Sequence, residues 1–193
     1  MWRSFLLAGA GVIALAAPAV AAETIKTGAP STARRVSGPI VLDGRLDEAD
    51  WQAAEVLDSL LEYWPGDLTP PPEHTAIRFL YDDRYLYVAF RGDLHDIGKL
   101  RKPFVRRDKV NSTLDYIQVY LDPLGGRRSA YLFRVGARGA RADGYQDEAK
   151  QVETLDPDYD WDARTAIDGQ GWSAELRIPL TTLRIAKAGM QKW

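Results

Sequence analysis

The fold is decided by the sequence TAIRFLYDDRYLYVAF at residues 75–90. Apolar and aromatic side chains alternate with other residues on both sides of Asp82 and Asp83, and such alternation is the main sequence signal of a β-strand. Aspartate tolerates the backbone conformations of a tight turn. The stretch therefore predicts a β-hairpin. Because a lone hairpin is only marginally stable in water, further strands must pack against it.

Four more segments predict such strands. DYIQVYLD at 115–122 alternates along its length, and AYLFRV at 130–135 returns after a loop whose two glycines suit positive φ. Residues 161–167 and 172–178 form a second pair around the turn sequence DGQG, and Pro179 ends it. Many short strands with almost no amphipathic helix indicate an all-β protein, an antiparallel β-sandwich of jelly-roll-like type.

The remaining segments are assigned from shorter patterns. Residues 40–42 predict a strand followed by an Asp-Gly turn, and residues 57–63 predict another strand. Asp47 is placed to cap a short helix that carries Trp51 into the core. Residues 136–160 are rich in Asp, Gly and Glu, and they are interpreted as irregular.

The N-terminus has the pattern of an export signal. Residues 1–22 combine an early arginine, a short apolar run and the sequence AVA, which together are typical of a cleaved signal peptide. Residues 23–38 are interpreted as a flexible tail and residues 39–193 as the sandwich. Trp193 has the pattern of the start of one more strand, so we expect the sandwich to be incomplete in this chain. Export places the protein in the periplasm or at the outer membrane and cell surface.

Composition excludes several classes of function. The net charge is -2, so there is no general electrostatic reason to bind nucleic acid. The chain has no cysteine, which excludes disulfides, thiolate metal sites and a cysteine nucleophile. The two histidines, His74 and His95, lie in polar segments without the spacing of a zinc site or a serine elbow. An enzyme is therefore disfavoured, and any glycosidase activity is expected in a fused domain.

Five motifs in the same order resemble the family 9 carbohydrate-binding module. They are VLDGRLDEADW, RFLYDDRYLYVAF, LDYIQVYLD, YLFRV and GWSAELRIPLTTLRI. The form that they resemble most occurs at the N-terminus of large bacterial outer-membrane proteins of unknown function, ahead of a predicted membrane β-barrel. The resemblance covers residues 40–193. It implies a β-sandwich that binds carbohydrate, a role in polysaccharide catabolism, and a barrel fused downstream as a partner.

The resemblance also implies a binding face. In sugar-binding members two tryptophans sandwich a terminal sugar while polar groups on adjacent strands bind its hydroxyls, and structural calcium is present. The family's glutamate falls at Gln118 and its arginine at Arg134. Its first clamp tryptophan falls near Ser112, and its second lies beyond Trp193. Sugar recognition needs an aromatic face and planar polar groups. Gln118 and Arg134 can supply the polar groups, and Tyr116 and Tyr120, which flank Gln118 on the same strand face, can supply the aromatic face.

Two further candidates and two alternatives remain open. Trp64, beside Pro65-Gly66, is a candidate stacking platform or a side chain packed on its own loop. Asp156, Asp158 and Asp160 are candidate calcium ligands because calcium prefers several oxygen atoms, or they belong to a solvated acidic loop. The binding face is alternatively a solvated surface on a structural domain of an outer-membrane protein that has no sugar ligand. A third hypothesis is that the chain is part of a glycoside hydrolase.

Overall fold

The computed structural model describes residues 31–62 and 69–185. The signal segment 1–22, the first half of the predicted tail (23–30) and Trp64 lie outside these residues. No helix within the two described ranges is long and apolar enough to cross a membrane.

The first of two sheets has five strands, which are β1 Arg34–Arg35, β2 Thr75–Tyr81, β3 Tyr85–Asp93, β8 Asp162–Ile167 and β9 Gly171–Pro179. Their order across the sheet is β1-β2-β3-β9-β8. The predicted hairpin supplies its centre, and its strands are paired from Thr75 with Gly92 to Tyr81 with Leu86. Strand β1 pairs with β2 in parallel, and the other contacts in this sheet are antiparallel.

The second sheet has four antiparallel strands in chain order. These strands are β4 Tyr116–Leu121, β5 Ser129–Gly136, β6 Arg141–Asp147 and β7 Val152–Thr154. The inward side chains of the two sheets form one apolar core, in which Phe133 and Trp161 meet edge to face at 5.2 Å between ring centroids. The two facing sheets confirm the predicted all-β sandwich.

The structure corrects four local predictions. Residues 40–42 form no strand, and from 57–62 only the isolated bridges of Leu57 with Ile77 and Glu62 with Thr69 remain. Residues 136–160 are not irregular, since they contain β6 and β7. Helix α1 Ala49–Ala53 exists, but Glu48 occupies its N-cap and no side chain caps it.

Asp50, in the first turn of α1, ties the predicted tail to the sandwich. Its carboxylate accepts hydrogen bonds from the Ser37 amide and hydroxyl, and from the Gly38 amide at 3.1 Å. Hydrogen bonds to its charged form, led by that from the Ser37 hydroxyl, lower the pKa of Asp50. Because Arg34–Arg35 is already a strand, the described chain joins the sheet inside the segment assigned to the tail.

A buried carboxylate holds the N-terminal segment on the outer face of the five-stranded sheet. Glu175 of β9 is fully buried and accepts hydrogen bonds from Gly44 N at 2.8 Å, Asp43 N at 3.0 Å and Trp51 Nε1 at 2.9 Å. Gly44 has φ of +91°, and a Cβ there would lie 2.5 Å from the Thr165 backbone. The turn therefore needs glycine, and it lets the chain approach the sheet closely.

Burial raises the pKa of Glu175 to about 7, although the hydrogen bonds from Gly44, Trp51 and Asp43 oppose the shift. The folded protein thus holds the proton of the Glu175 carboxyl group more tightly than the unfolded chain does. The stability that this proton contributes is therefore lost as the pH rises from the ordinary pKa of a glutamate towards 7. We expect the free energy of unfolding to fall more steeply between pH 5 and pH 8 in the wild type than in Glu175→Gln, measured by urea unfolding. Groups that are the same in both proteins contribute equally to both slopes, so equal slopes would contradict the assignment.

Candidate functional site

Gln118 and Arg134 lie side by side on the outward face of the four-stranded sheet, as the sequence predicts. They are paired in the register of β4 with β5, so both point away from the core. Arg134 Nε donates to Gln118 Oε1, and Nη1 donates to the carbonyl of Val110 at 2.9 Å. Nη2 donates to Glu153 Oε2 at 2.6 Å. Arg134 is only 6% exposed, so it is the buried centre of this face.

Glu153 completes this hydrogen-bonded group, and no pattern in the sequence predicts it. Gln118 Nε2 donates to its Oε1 at 2.9 Å, and the Tyr120 hydroxyl donates to the same oxygen. Glu153 reaches this face because β7 pairs with β6, with Glu153 opposite Gln146. Gly144 allows the close approach of the following chain, since a Cβ there would lie 1.9 Å from the Thr154 carbonyl oxygen.

The two tyrosines differ in accessibility. The Arg134 guanidinium lies 4.8 Å from the centroid of the Tyr116 ring, in cation–π geometry. Tyr116 also packs against the apolar cluster of Val110 and Leu114. Tyr120, in contrast, is 47% exposed. Tyr120 is therefore the aromatic surface of this face that a ligand can reach.

The charges on this face are balanced. Burial opposes ionisation of Glu153, but hydrogen bonds from Tyr120, Gln118 and Arg134, with the Arg134 charge, lower its pKa overall. Burial and the hydrogen bond to Glu153 raise the pKa of Tyr120. At neutral pH the hydrogen-bonded group of Gln118, Tyr120, Arg134 and Glu153 thus carries one cation, one carboxylate, a neutral phenol and an amide. These planar groups can bind pairs of hydroxyls, and they give no net attraction for an ion.

A solvent-accessible cleft of about 470 Å³ adjoins Tyr116 at one end of the sandwich. Its apolar wall contains Phe90 and Trp172, whose ring centroids are 4.6 Å apart, although both side chains are largely buried. Ser112, where the resemblance places the first clamp tryptophan, also lines this cleft. The clamp position therefore lies at a cleft beside the polar face, but without an aromatic side chain.

The acidic segment 156–160 does not form a ready metal site. No group of three His, Asp or Glu side chains within residues 31–62 and 69–185 is gathered closely enough to hold a metal ion. Asp156, Asp158 and Asp160 are exposed, and Asp158 accepts a hydrogen bond from Arg107 Nε at 2.9 Å. The three carboxylates as arranged do not fit a calcium site, and calcium binding stays a prediction.

The protein is thus an antiparallel β-sandwich in which one sheet carries a polar surface flanked by tyrosines. Among solved structures, a candidate carbohydrate-binding protein from Bacteroides uniformis ATCC 8492 is similar with a TM-score of 0.52 and 12% identity, over 81% of this chain and 75% of that one. This likeness shows the shared fold.

Two structures of a carbohydrate binding module family 9 from Caldicellulosiruptor kristjanssonii are also similar at 19% identity. The complex with glucose has a TM-score of 0.49 over 81% of this chain and 73% of that one. The complex with cellotriose has a TM-score of 0.47 over 82% and 70%. No family model matches the chain, and no curated protein matches its sequence.

Proposed function

We propose that this protein is a non-catalytic carbohydrate-binding domain and that the outward face of its four-stranded sheet binds the sugar. The observation that carries the proposal is the exposed Tyr120 ring beside the planar groups of Gln118, Arg134 and Glu153. An aromatic face stacks on the apolar side of a sugar ring while amide and carboxylate groups bind its hydroxyls. The shared fold with a candidate carbohydrate-binding protein supports this assignment.

The wider setting is part of the same proposal. The apolar segment and AVA sequence of residues 1–22 support export to the periplasm or the outer membrane and cell surface. A role in polysaccharide catabolism follows if the bound sugar belongs to a polymer that the cell degrades. Glycosidase activity would then belong to a fused domain.

One observation favours the alternative, a structural domain of an outer-membrane protein without a sugar ligand. Nε, Nη1 and Nη2 of Arg134 each donate a hydrogen bond inside the protein, to Gln118, Val110 and Glu153. A guanidinium satisfied in this way needs no ligand. An experiment can distinguish the sugar-binding domain from the structural domain by testing whether Tyr120, the exposed part of the face, contributes to sugar binding.

We expect Tyr120→Ala to weaken sugar binding about tenfold, because stacking on an aromatic ring contributes roughly 1 kcal/mol and the Glu153 contact is lost with it. The measurement is titration calorimetry of the chain with glucose, cellobiose and xylo-oligosaccharides, with and without calcium. A heat that requires calcium would support the calcium proposal.

Tyr145→Ala is the matched control. Tyr145 is 39% exposed, close to the value for Tyr120, but its pairing with Tyr131 places it on the opposite face of the same sheet. The control should bind sugar as the wild type does. Equal affinity in the wild type and Tyr120→Ala would contradict the assignment of this face. Folded wild-type protein that binds no sugar would favour the structural alternative.

A further inference from the structure

A second cleft, of about 480 Å³, lies on the outward face of the other sheet, far from the proposed sugar face because the two outward faces are on opposite sides of the sandwich. Its walls come from β2, β3, β8 and β9 and from the N-terminal segment that Glu175 anchors. Its charged lining residues are Arg45, Arg78, Arg91 and Asp168. The cleft therefore combines three arginines with a single carboxylate.

The carboxylate of Asp168 already forms an ion pair with Arg91. Arg91 Nη1 and Nη2 donate to the two oxygens of Asp168 at 2.6 and 3.2 Å, and Arg91 Nε donates to Asp93 at 2.7 Å. The hydrogen bond from Arg91 is the main reason that the pKa of Asp168 is lowered to about 2. Asp168 therefore stays ionised and paired with Arg91, and it leaves the other two guanidinium groups uncompensated.

Arg45 and Arg78 pair with no carboxylate in the described parts of the chain. The Nε–H of Arg78 is buried and has no hydrogen-bond partner there. A buried donor left unpaired costs about 1–3 kcal/mol, so native proteins normally satisfy such groups with protein, water or a ligand. Arg78, which lines the cleft, thus carries a charge whose hydrogen bonding the described parts of the chain leave incomplete.

We infer that this cleft binds an oxyanion carried on a ligand of monosaccharide size, such as a uronic acid. Guanidinium groups bind carboxylates and phosphates through two parallel hydrogen bonds, and Arg45 and Arg78 supply this chemistry. The volume lies in the range of small-molecule sites and exceeds what a bare oxyanion fills. Ala166 and Ser173, which also line the cleft, leave room for a ring because their side chains are small. This inference stands on residues that the proposed sugar face does not use.

The test is calorimetry of the full chain with three probes: glucuronate, inorganic phosphate and glucose. Glucuronate and glucose differ only at C6, where a carboxylate replaces an alcohol, so glucose reports binding that does not need the anion. We expect glucuronate to bind, with an affinity that falls as salt rises because charges are screened. Phosphate that binds as tightly as glucuronate would show a site for a free ion and would overturn the sugar part of the inference.

The matched variants are Arg78→Gln, Arg45→Gln and Arg128→Gln. Each removes one positive charge, but Arg128 is exposed in the loop between β4 and β5 on the other sheet. We expect the first two variants to weaken glucuronate binding at least about tenfold and Arg128→Gln to leave it unchanged. Arg78→Lys keeps the charge but removes the planar guanidinium that binds an oxyanion through two parallel hydrogen bonds, so it should bind more weakly than the wild type.

The outcomes separate this site from the sugar face. Glucuronate binding that survives in both Arg78→Gln and Arg45→Gln, or no binding of any anion by the folded wild type, would overturn the inference. Loss of glucose binding in Tyr120→Ala, with glucuronate binding intact, would leave both sites standing. Thermal unfolding of each variant shows whether a lost heat reflects lost structure.

Discussion

Glu175→Ala is expected to lower the free energy of unfolding by about 3 kcal/mol. The substitution leaves the amides of Gly44 and Asp43 and the indole N–H of Trp51 without their acceptor. Each unsatisfied buried donor costs about 1–3 kcal/mol, and part of this cost is returned because a buried carboxylate no longer needs to be desolvated. The N-terminal segment should therefore loosen from the outer face of the sheet.

Urea unfolding at pH 7 measures the effect, and Glu148→Gln is the control. Glu148 is exposed between β6 and β7, so its replacement should change stability by less than about 0.5 kcal/mol. Glu175→Gln keeps one acceptor oxygen but turns an amide N–H towards a donor, so it should fall between wild type and Glu175→Ala. A stability loss below about 1 kcal/mol in Glu175→Ala would mean that the N-terminal segment is held mainly by the packing of Trp51.

The same carboxylate shows what sequence alternation can and cannot predict. Residues 172–178 form a strand, as the sequence predicts, and the structure places Trp172, Ala174 and Leu176 on its core side, which leaves Glu175 on the opposite side. Alternation indicates the face of a residue but not what covers that face. Here the covering chain is the segment 40–51. The amides of Asp43 and Gly44 donate to Glu175, and the amide of Val41 donates to Glu48 Oε1, so side chains take the place of a neighbouring strand and the predicted strand at 40–42 does not form.

Only part of the candidate site can be predicted from the sequence, for a similar reason. Gln118, Arg134, Tyr116 and Tyr120 lie on two strands with clean alternation and a clear hairpin loop, and the structure brings them together. Glu153 lies on β7, in a stretch whose glycines and aspartates hide the strand pattern. Gly144 could have been a signal, since glycine inside a strand often marks close approach of another backbone.

Arg134→Ala is expected to lower the free energy of unfolding by about 3–4 kcal/mol. Arg134 is a nearly buried cation with three hydrogen-bond acceptors, and removal of one partner from a buried charge pair typically costs roughly 3–5 kcal/mol. About a third of the Glu153 side chain is exposed (33%), so water can solvate the orphaned carboxylate in part, and the loss should lie at the lower end of that range.

A double-mutant cycle with Glu153→Gln measures the pair itself. The two substitutions should be non-additive by about 1.5–3 kcal/mol, the contribution of a hydrogen bond between charged groups. Arg128→Ala, in the exposed loop, controls for the loss of one positive charge. Additive effects would show that Arg134 and Glu153 are adjacent without stabilising each other.

The result also decides how the sugar face can be tested. If Arg134→Ala is strongly destabilising, a loss of sugar binding in this variant reports the collapse of the network that positions Gln118 and Glu153, and it says nothing about a direct contact with the sugar. Tyr120, exposed and at the edge of the network, then provides the cleaner test of recognition. If Arg134→Ala instead folds with wild-type stability, the guanidinium is free to exchange its internal partners for sugar hydroxyls, and Arg134 itself becomes a ligand-contacting residue.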